Sequence, residues 1–255
     1  MILHSNSIGE GFPFIILHGF LGMGDNWKTL GKQFATLGYQ VHLVDQRNHG
    51  RSFHDASFNY TVMADDLKKY CDHHQIKQMH LLGHSMGGKT AMFFAMEYPE
   101  YIDKLIIADI APRAYDAHHS HILNALGQLS DHIDKLASRK EADAFLARFI
   151  PDMGTRQFLL KNLYWEQPGR LGIRVNLSVV TKHAVHIGEG LSQDEVYNKA
   201  ALFLRGSRSD YIIEEDYDRI HRCFTKAEIH TVPDAGHWLH AENPKDFYKE
   251  VINFL

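Results

Sequence analysis

The sequence predicts an α/β protein in which a mostly parallel sheet is flanked by helices and one long helical segment is inserted. Short apolar runs bounded by turn residues alternate with longer stretches of helical periodicity, as in a parallel sheet covered by helices. Several runs are apolar throughout, which is typical of strands buried on both faces. The alternation stops after Arg113 and resumes at about Lys199, so we expect an insertion between them.

Six apolar runs are the predicted strands, and four stretches of helical periodicity are the predicted helices. In chain order the strands are Phe14 to Leu17, Gln40 to Val44, Met79 to Leu82, Lys104 to Ala108, Ala201 to Leu204 and Glu228 to Val232. The helices are Asn26 to Leu37, Thr61 to His73, Met86 to Tyr98 and Pro244 to Phe254. The last helix begins with Asn243 and Pro244, which suit the N-cap and the first turn.

The break in the alternation predicts how the chain is organised into parts. We expect a core formed by residues 1–112 and 200–255, and an inserted helical cap formed by residues 113–199. Pro151, Gly154 and the pair Pro168–Gly169 are predicted turns between cap helices. We expect the cap to fold onto the carboxyl edge of the sheet.

The composition excludes several classes of protein. Of 255 residues, 44% are hydrophobic and 23% are charged, as in globular domains. A net charge of -4 with both signs scattered lacks the basic surface that nucleic-acid binding needs. No apolar run approaches the ~18 residues of a membrane span, and Cys71 and Cys223 form no C-x-x-C pair. We expect a cytoplasmic protein, a monomer or small homo-oligomer, without a disulfide framework.

The chain contains 19 histidines, and two runs of them suggest a metal site. These runs are His73–His74 and the segment 118–121. Their spacing matches no familiar zinc pattern, so we interpret them as surface imidazoles instead.

The strongest functional pattern is the segment 83–87, Gly-His-Ser-Met-Gly, which follows a predicted strand and begins a predicted helix. This is a G-x-S-x-G sequence in the strand–turn–helix setting that a nucleophilic serine requires. Side chains at Gly83 and Gly87 would clash in so tight a turn, while Ser85 at the helix N-terminus would be exposed. The alternative interpretation is an ordinary glycine-rich turn. We predict that Ser85 is a nucleophile.

A serine hydroxyl is a weak nucleophile near neutral pH and needs a base. The segment 233–238 follows the last predicted strand and contains His237 on a loop at the same edge of the sheet. The order of serine before histidine, and this location, select His237 from the other histidines. We predict that His237 is the base.

An oxyanion formed at the substrate requires two N–H donors. The residue after the nucleophile, Met86, is expected to supply one. The second is expected from Phe20, since Gly19 lets the chain turn directly after the first predicted strand. Taken alone, His18–Gly19 would be merely a turn; together with Ser85 it predicts an oxyanion hole.

These motifs resemble those of the α/β-hydrolase superfamily, and the resemblance covers the chain outside the cap. The matching segments are His18–Phe20, Asp45–Ser52, Gly83–Gly88 and Gly236–His237. Within the superfamily the chain is most similar to small bacterial and mitochondrial esterases that carry D-x-R-N-H-G-x-S and an Asp-Ile-Ala-Pro stretch, here Asp109–Pro112. The residues Arg47, Asn48 and Gly50 of the first motif are expected to stabilise their loop rather than contact substrate.

The acid that orients the base has two candidates. In most members of the superfamily it follows the penultimate strand, where this chain has Ser209. Asp210 could replace it after a shift of one residue, or Asp109 could reach the histidine from a neighbouring strand end. The resemblance to the esterases implies Asp109, with Ser209 as an additional hydrogen-bond partner of the imidazole. Otherwise, Asp109 would only cap a turn before Pro112.

The predicted activity is hydrolysis of a small carboxylic ester or acyl thioester through an acyl-enzyme, without a metal or organic cofactor. Relatives that act on halides and epoxides use aspartate in place of Ser85, which disfavours those substrates. Substrate contacts are expected from Phe20, Tyr164, Trp165 and Trp238. Two alternatives remain: hydrolysis of carbon–carbon bonds in diketones, which the same residues support, and a hydrolase-fold sensor that binds a small ligand with little turnover.

Overall fold

The computed structural model of the chain describes residues 1–116, 120–192 and 194–255. Its strands form a seven-stranded sheet and a separate two-stranded sheet. In chain order the strands are β1 (Ser5–Ile8), β2 (Phe12–Leu17), β3 (Tyr39–Val44), β4 (Met79–His84), β5 (Ile102–Ala108), β6 (Leu163–Gln167), β7 (Arg170–Ile173), β8 (Tyr197–Gly206) and β9 (Phe224–Val232). All six predicted strands are confirmed.

The large sheet has the order β1-β3-β2-β4-β5-β8-β9. Only β1 is antiparallel to its neighbour, while every other pair is parallel. The carboxyl ends of six strands therefore meet at one edge, where sheets of this kind place ligands and catalytic groups. The edge strand β1 was not predicted, because its short sequence Ser-Asn-Ser-Ile has almost no apolar character.

The helices cover both faces of this sheet and fill the inserted segment. In chain order they are α1 (Lys28–Ala35), α2 (Tyr60–His73), α3 (Met86–Glu97), α4 (Ser120–His132), α5 (Arg139–Leu146), α6 (Met153–Leu160), α7 (Leu177–Lys182), α8 (Tyr217–Cys223), α9 (Leu239–Glu242) and α10 (Pro244–Phe254). The four predicted helices are confirmed as α1, α2, α3 and α10, although a short 3-10 turn, Gly24–Trp27, precedes α1. The side chain of Asn243 caps α10, as predicted.

Successive residues of the central strands enter cores on opposite faces of the sheet. Ile15 and Leu17 of β2 pack in the same cluster as Phe203, whereas Phe14 and Ile16 pack with Leu202 on the other face. Alternate side chains of a strand point to opposite faces, so a strand that is apolar throughout contributes to both cores. The predicted fold class is confirmed by this doubly covered parallel sheet.

The inserted segment, residues 113–199, contains a β-hairpin besides its helices. Pro168–Gly169 forms the turn between β6 and β7 rather than a turn between helices, and Gly169 has a φ of +81° that suits glycine. Gly154 lies inside α6, so the prediction of a turn there is wrong. Strand β8 begins at Tyr197, before the predicted end of the insertion. A third apolar cluster joins this segment to Phe20, Leu21 and Met86 at the carboxyl edge of the sheet.

Histidines occupy two different environments. His73, His74 and His121 are exposed, as predicted, whereas His118 and His119 lie outside the described residues. Five others, not anticipated as core residues, are buried: His18, His42, His49, His80 and His84. Within the described ranges, no three His, Cys, Asp or Glu side chains are grouped as metal ligands would be.

Across the described residues, no helix combines the length and the apolar character needed to cross a membrane.

Candidate active site

The turn between β4 and α3 holds Ser85 in a strained backbone conformation. Its φ of 53° and ψ of -116° lie where residues other than glycine are rarely found. A Cβ on Gly83 would lie 2.2 Å from the Gly87 carbonyl oxygen, and one on Gly87 would lie 2.4 Å from the Leu17 carbonyl oxygen. Only glycine permits such close approach, and the turn thereby brings Ser85 next to the end of β2.

His237 lies on the loop that follows β9, at the same edge of the sheet. Its Nε2 is 3.0 Å from Ser85 Oγ, although 152 positions separate the two residues in the chain. The imidazole is 25% exposed, and it lines the same cavity as Ser85. This distance is within the hydrogen-bond reach that a general base requires. The structure thus brings the predicted nucleophile and the predicted base together.

Asp109 directly follows β5 and lies on the other side of the imidazole. Its Oδ2 is 2.8 Å from His237 Nδ1, and its Oδ1 accepts a 3.0 Å hydrogen bond from the Gly206 N–H. The side chain is 0% exposed. A carboxylate buried to this degree needs compensating hydrogen bonds, and these contacts provide them. Asp109 also has a positive φ, 52°, which turns its side chain out of the strand direction.

Neither Ser209 nor Asp210, on the loop after β8, contacts the imidazole in the way expected. The Ser209 hydroxyl donates a short hydrogen bond to Asp109 Oδ2, not to the imidazole as expected. The reason is geometric, because both imidazole nitrogens already have partners: Nδ1 contacts Asp109 and Nε2 contacts Ser85. Asp210 is exposed, and its backbone carbonyl oxygen accepts a hydrogen bond from Arg113. The structure therefore brings Asp109, not Asp210, to the base.

The loop after β2 runs beside Ser85. A Cβ on Gly19 would lie 3.4 Å from the Ser85 Cβ and 2.8 Å from His84 Nδ1, so only glycine lets the backbone pass this close. The next residue, Phe20, lines the same cavity as Ser85 and His237. Met86 is the first residue of α3, where a backbone N–H has no partner within the helix. Both predicted oxyanion donors are therefore adjacent to the serine.

Two histidines flank the predicted base without adding charge. His84 Nε2 lies 2.8 Å from the His237 carbonyl oxygen, which accepts a hydrogen bond when Nε2 is protonated, and the His84 ring centroid lies 4.7 Å from that of His240. Burial lowers the pKa of His84 well below its usual 6.5, and it lowers the pKa of His240 to about 3. Both rings are therefore neutral near neutral pH. His84 holds the loop of His237 through its backbone.

Tyr211 covers one face of the His237 ring. The two ring centroids are 3.8 Å apart and the planes differ by 18°, which is a stacked arrangement. Tyr115 stacks on Tyr211 in turn, with centroids 5.5 Å apart, and the Arg113 guanidinium lies 3.9 Å from the Tyr115 ring. The face of an aromatic ring attracts a cation, so Tyr211 can stabilise a protonated His237.

The cavity in front of Ser85 contains some of the predicted substrate contacts and not others. Phe20 and Trp238 line it, together with Trp27 and Phe158. Tyr164 and Trp165 do not, because they lie on the β6 hairpin, where Trp165 is 48% exposed. The Tyr164 ring packs against Arg174 instead. The expectation that Tyr164 and Trp165 contact substrate is therefore corrected.

Several residues of this site were missed by sequence reasoning. Tyr211 lies two positions after Ser209 and His240 lies three positions after His237. Both residues could have been proposed as site residues because they lie so close in the chain to Ser209 and His237. His84 was inside the recognised G-x-S-x-G motif, but the motif does not specify what that position contacts.

Comparison with known proteins agrees with this fold. A family model described as the alpha/beta hydrolase fold matches residues 13–244. The chain is 37% identical to the sn-1-specific diacylglycerol lipase ABHD11 of Danio rerio over 97% of this chain and 79% of that protein. It is 33% identical to the esterase YbfF of Escherichia coli (strain K12) over 99% of this chain and 94% of that protein.

A solved structure gives the same result. The structure named Marine microorganism esterase superposes with a TM-score of 0.95 and 39% sequence identity, and it covers 100% of this chain and 99% of its own. The strand order, the serine turn and these similarities lead to one conclusion: the chain belongs to the alpha/beta hydrolase family.

Proposed function

We propose that this chain is a serine hydrolase that cleaves carboxylic esters, and acyl thioesters by the same route, through an acyl-enzyme on Ser85. The observation that carries the proposal is the hydrogen-bonded series from Ser85 Oγ through the His237 ring to the buried Asp109 carboxylate. The names of the related esterase and diacylglycerol lipase support an ester bond as the target.

The first half of the reaction transfers the acyl group to the enzyme. His237 Nε2 accepts the Ser85 proton while Oγ attacks the acyl carbonyl carbon. The carbonyl oxygen becomes an oxyanion, which the backbone N–H groups of Phe20 and Met86 stabilise. The protonated His237 then donates its proton to the leaving oxygen or sulfur, and the bond between that atom and the acyl carbon breaks.

The second half releases the acid. His237 removes a proton from a water molecule, the resulting hydroxide attacks the acyl carbon, and Ser85 leaves and recovers the proton. Asp109 stays ionised throughout and stabilises the imidazolium that forms in each half. Ser209 acts on this carboxylate through its hydroxyl, as a positioning residue. We expect a cytoplasmic enzyme, a monomer or small homo-oligomer, that acts on a small ester.

The test is detection of the acyl-enzyme. Nitrophenyl butyrate should give a burst of nitrophenol, and mass spectrometry of the quenched enzyme should place a butyryl group on Ser85. Ser85→Ala should lower turnover by at least ~10³-fold and abolish the adduct. Ser130→Ala, at an exposed position of α4, is the matched control and should behave as the wild type. Undiminished single turnover in Ser85→Ala would refute the proposal.

A further inference from the structure

Two cavities meet at Ser85. The first, here named the Trp27 cavity, has a volume of about 70 Å³ and is lined by Trp27, Phe158, Trp238 and His237, among others. The second, named the Tyr60 cavity, is smaller, about 20 Å³, and is lined by Tyr60, Met86, Ile110, Ile187 and Tyr211, among others. Of the described residues, Ser85 lines both. An ester bound at Ser85 extends in two directions from its carbonyl carbon, as the acyl chain and as the leaving group, so each part can occupy one cavity.

The position of the base distinguishes the two cavities. His237 lines the Trp27 cavity, whereas Tyr211 lines the Tyr60 cavity and is stacked 3.8 Å from the His237 ring. The Tyr211 ring therefore separates the imidazole from the Tyr60 cavity. A leaving atom receives its proton from His237 at hydrogen-bond distance or through one water molecule. Of the two cavities, the one that His237 lines among the described residues is the Trp27 cavity, so that cavity favours proton transfer to the leaving atom.

We propose that the acyl chain binds in the Tyr60 cavity, that the leaving group binds in the Trp27 cavity, and that Ile187 limits the length of the acyl chain. This inference rests on the proposed ester hydrolysis. It specifies the substrate class as esters, or thioesters, with a short apolar acyl chain and a larger leaving group that carries aromatic or other apolar surface.

Part of the Tyr60 cavity wall suits a short apolar chain. The side chains of Met86, Ile110 and Ile187 are apolar, whereas Asp116 adds a carboxylate to the lining. The Tyr60 hydroxyl donates a 2.7 Å hydrogen bond to the Ile187 carbonyl oxygen, and the Tyr115 N–H donates a 2.8 Å hydrogen bond to the Gly188 carbonyl oxygen. These bonds attach the 3-10 turn Ala184–Gly188 to the rest of the site, so this wall resists displacement by a longer chain.

The Trp27 cavity suits a larger group. Trp27, Phe158 and Trp238 provide aromatic surface, and the Phe158 and Trp238 rings are 5.5 Å apart. Asn26 and Thr155 add polar atoms to the lining. Mixed linings of this kind bind ligands through apolar contact and orient them through a few polar groups.

The test combines two series of esters with substitutions at Ile187 and Phe158. The first series, nitrophenyl esters from acetate to laurate, measures acyl-chain preference as kcat/KM. The second series, methyl, benzyl and naphthyl butyrates, measures leaving-group preference as kcat/KM. Ile187→Ala should move the acyl maximum to longer chains and Ile187→Phe should move it to shorter ones. Phe158→Ala, in the other cavity, should leave that maximum in place and lower the preference for naphthyl over methyl butyrate by about 5- to 30-fold.

A failure of the cavity assignment and a failure of the proposed ester hydrolysis give different results in these assays. Absence of hydrolysis of every ester by the wild type would overturn the proposed function. Hydrolysis with the effects exchanged, so that Phe158→Ala moves the acyl maximum and the two Ile187 variants change leaving-group preference, would overturn only the assignment of the cavities. A wild-type maximum at laurate, or an unmoved maximum in both Ile187 variants, would overturn the limit set by Ile187.

Discussion

Asp109 and Ser209 are joined by a hydrogen bond although 100 positions separate them in the chain. Asp109 is fully buried, and removing a carboxylate from water costs several kcal/mol unless hydrogen bonds replace its hydration. Three groups do so here: His237 Nδ1, the Ser209 hydroxyl and the Gly206 N–H. Two of the three, Gly206 and Ser209, come from the end of β8 and the loop that follows it, so this segment supports the carboxylate.

This geometry predicts different effects of two amide substitutions. Asp109→Asn should lower kcat by roughly 10³–10⁴-fold, because an amide neither stabilises the imidazolium nor selects the His237 tautomer with its proton on Nδ1. Asp210→Asn is the matched control, and it should keep turnover within about 2-fold of the wild type, since an exposed side chain away from the base has little effect. The measurement is kcat on nitrophenyl butyrate. Loss of turnover in Asp210→Asn alone would contradict the assignment.

At the scale of elements, helix α3 links the serine turn to the start of the inserted segment. Lys89 lies one turn after Ser85 and is fully buried, and its Nζ donates a 2.5 Å hydrogen bond to the Arg113 carbonyl oxygen. The Arg113 guanidinium forms a 2.9 Å ion pair with Asp216. Burial, reinforced by nearby Arg219 and Arg113, lowers the pKa of Lys89 from 10.5 to about 7. This lysine therefore attaches the insertion to the helix that carries the nucleophile.

The lowered pKa of Lys89 predicts a stability that rises with pH. Between about pH 7 and 10.5 the unfolded chain holds a proton on this amine that the folded chain lacks, so raising the pH favours folding. In urea unfolding at about pH 7 and about pH 8, the wild type should gain up to ~1 kcal/mol per pH unit relative to Lys89→Met. Lys140→Met, at an exposed position of α5, should keep the wild-type slope. Equal slopes in the wild type and Lys89→Met would refute the prediction.

The elements that were predicted and those that were missed differ in burial. Strand β4 is fully buried and β2 and β5 are mostly buried, and their largely apolar sequences made them recognisable. The hairpin of β6 and β7 is only partly buried, and its sequence lacks the alternation that identifies a half-buried strand. Its pairing depends on the turn at Gly169 and on contacts with the rest of the insertion, which a local pattern does not contain.

At the scale of the whole molecule, buried histidines make stability depend on pH in the acid range. Burial lowers the pKa of His18 and His42 to about 4 and that of His49 and His240 to about 3, each from the usual 6.5. Below pH 6.5 the unfolded chain binds protons at these positions that the folded chain does not. The free energy of unfolding should therefore fall as the pH decreases from 6.5 towards 4.

A substitution away from the active site tests this dependence. His42 of β3 is buried and bonded to the Tyr70 hydroxyl. His42→Gln should reduce the loss of unfolding free energy between about pH 6.5 and about pH 5 by up to ~1 kcal/mol per pH unit, because one depressed imidazole is removed. The exposed His73→Gln serves as the control and should retain the full loss. An identical pH dependence in His42→Gln and the wild type would contradict this account.

Sequence patterns were sufficient for the parallel sheet, its main helices, the Ser85 turn and the position of His237. Each is encoded locally, because runs of apolar residues specify buried strands and two glycines permit a turn with a positive φ at the serine. The choice of Asp109 over Asp210 as the partner of His237, the stacking of Tyr211 on its ring and the division of the space around Ser85 into two cavities required the folded chain. These depend on which distant segments meet: Asp109 and His237 are 128 positions apart, and no local pattern encodes that distance.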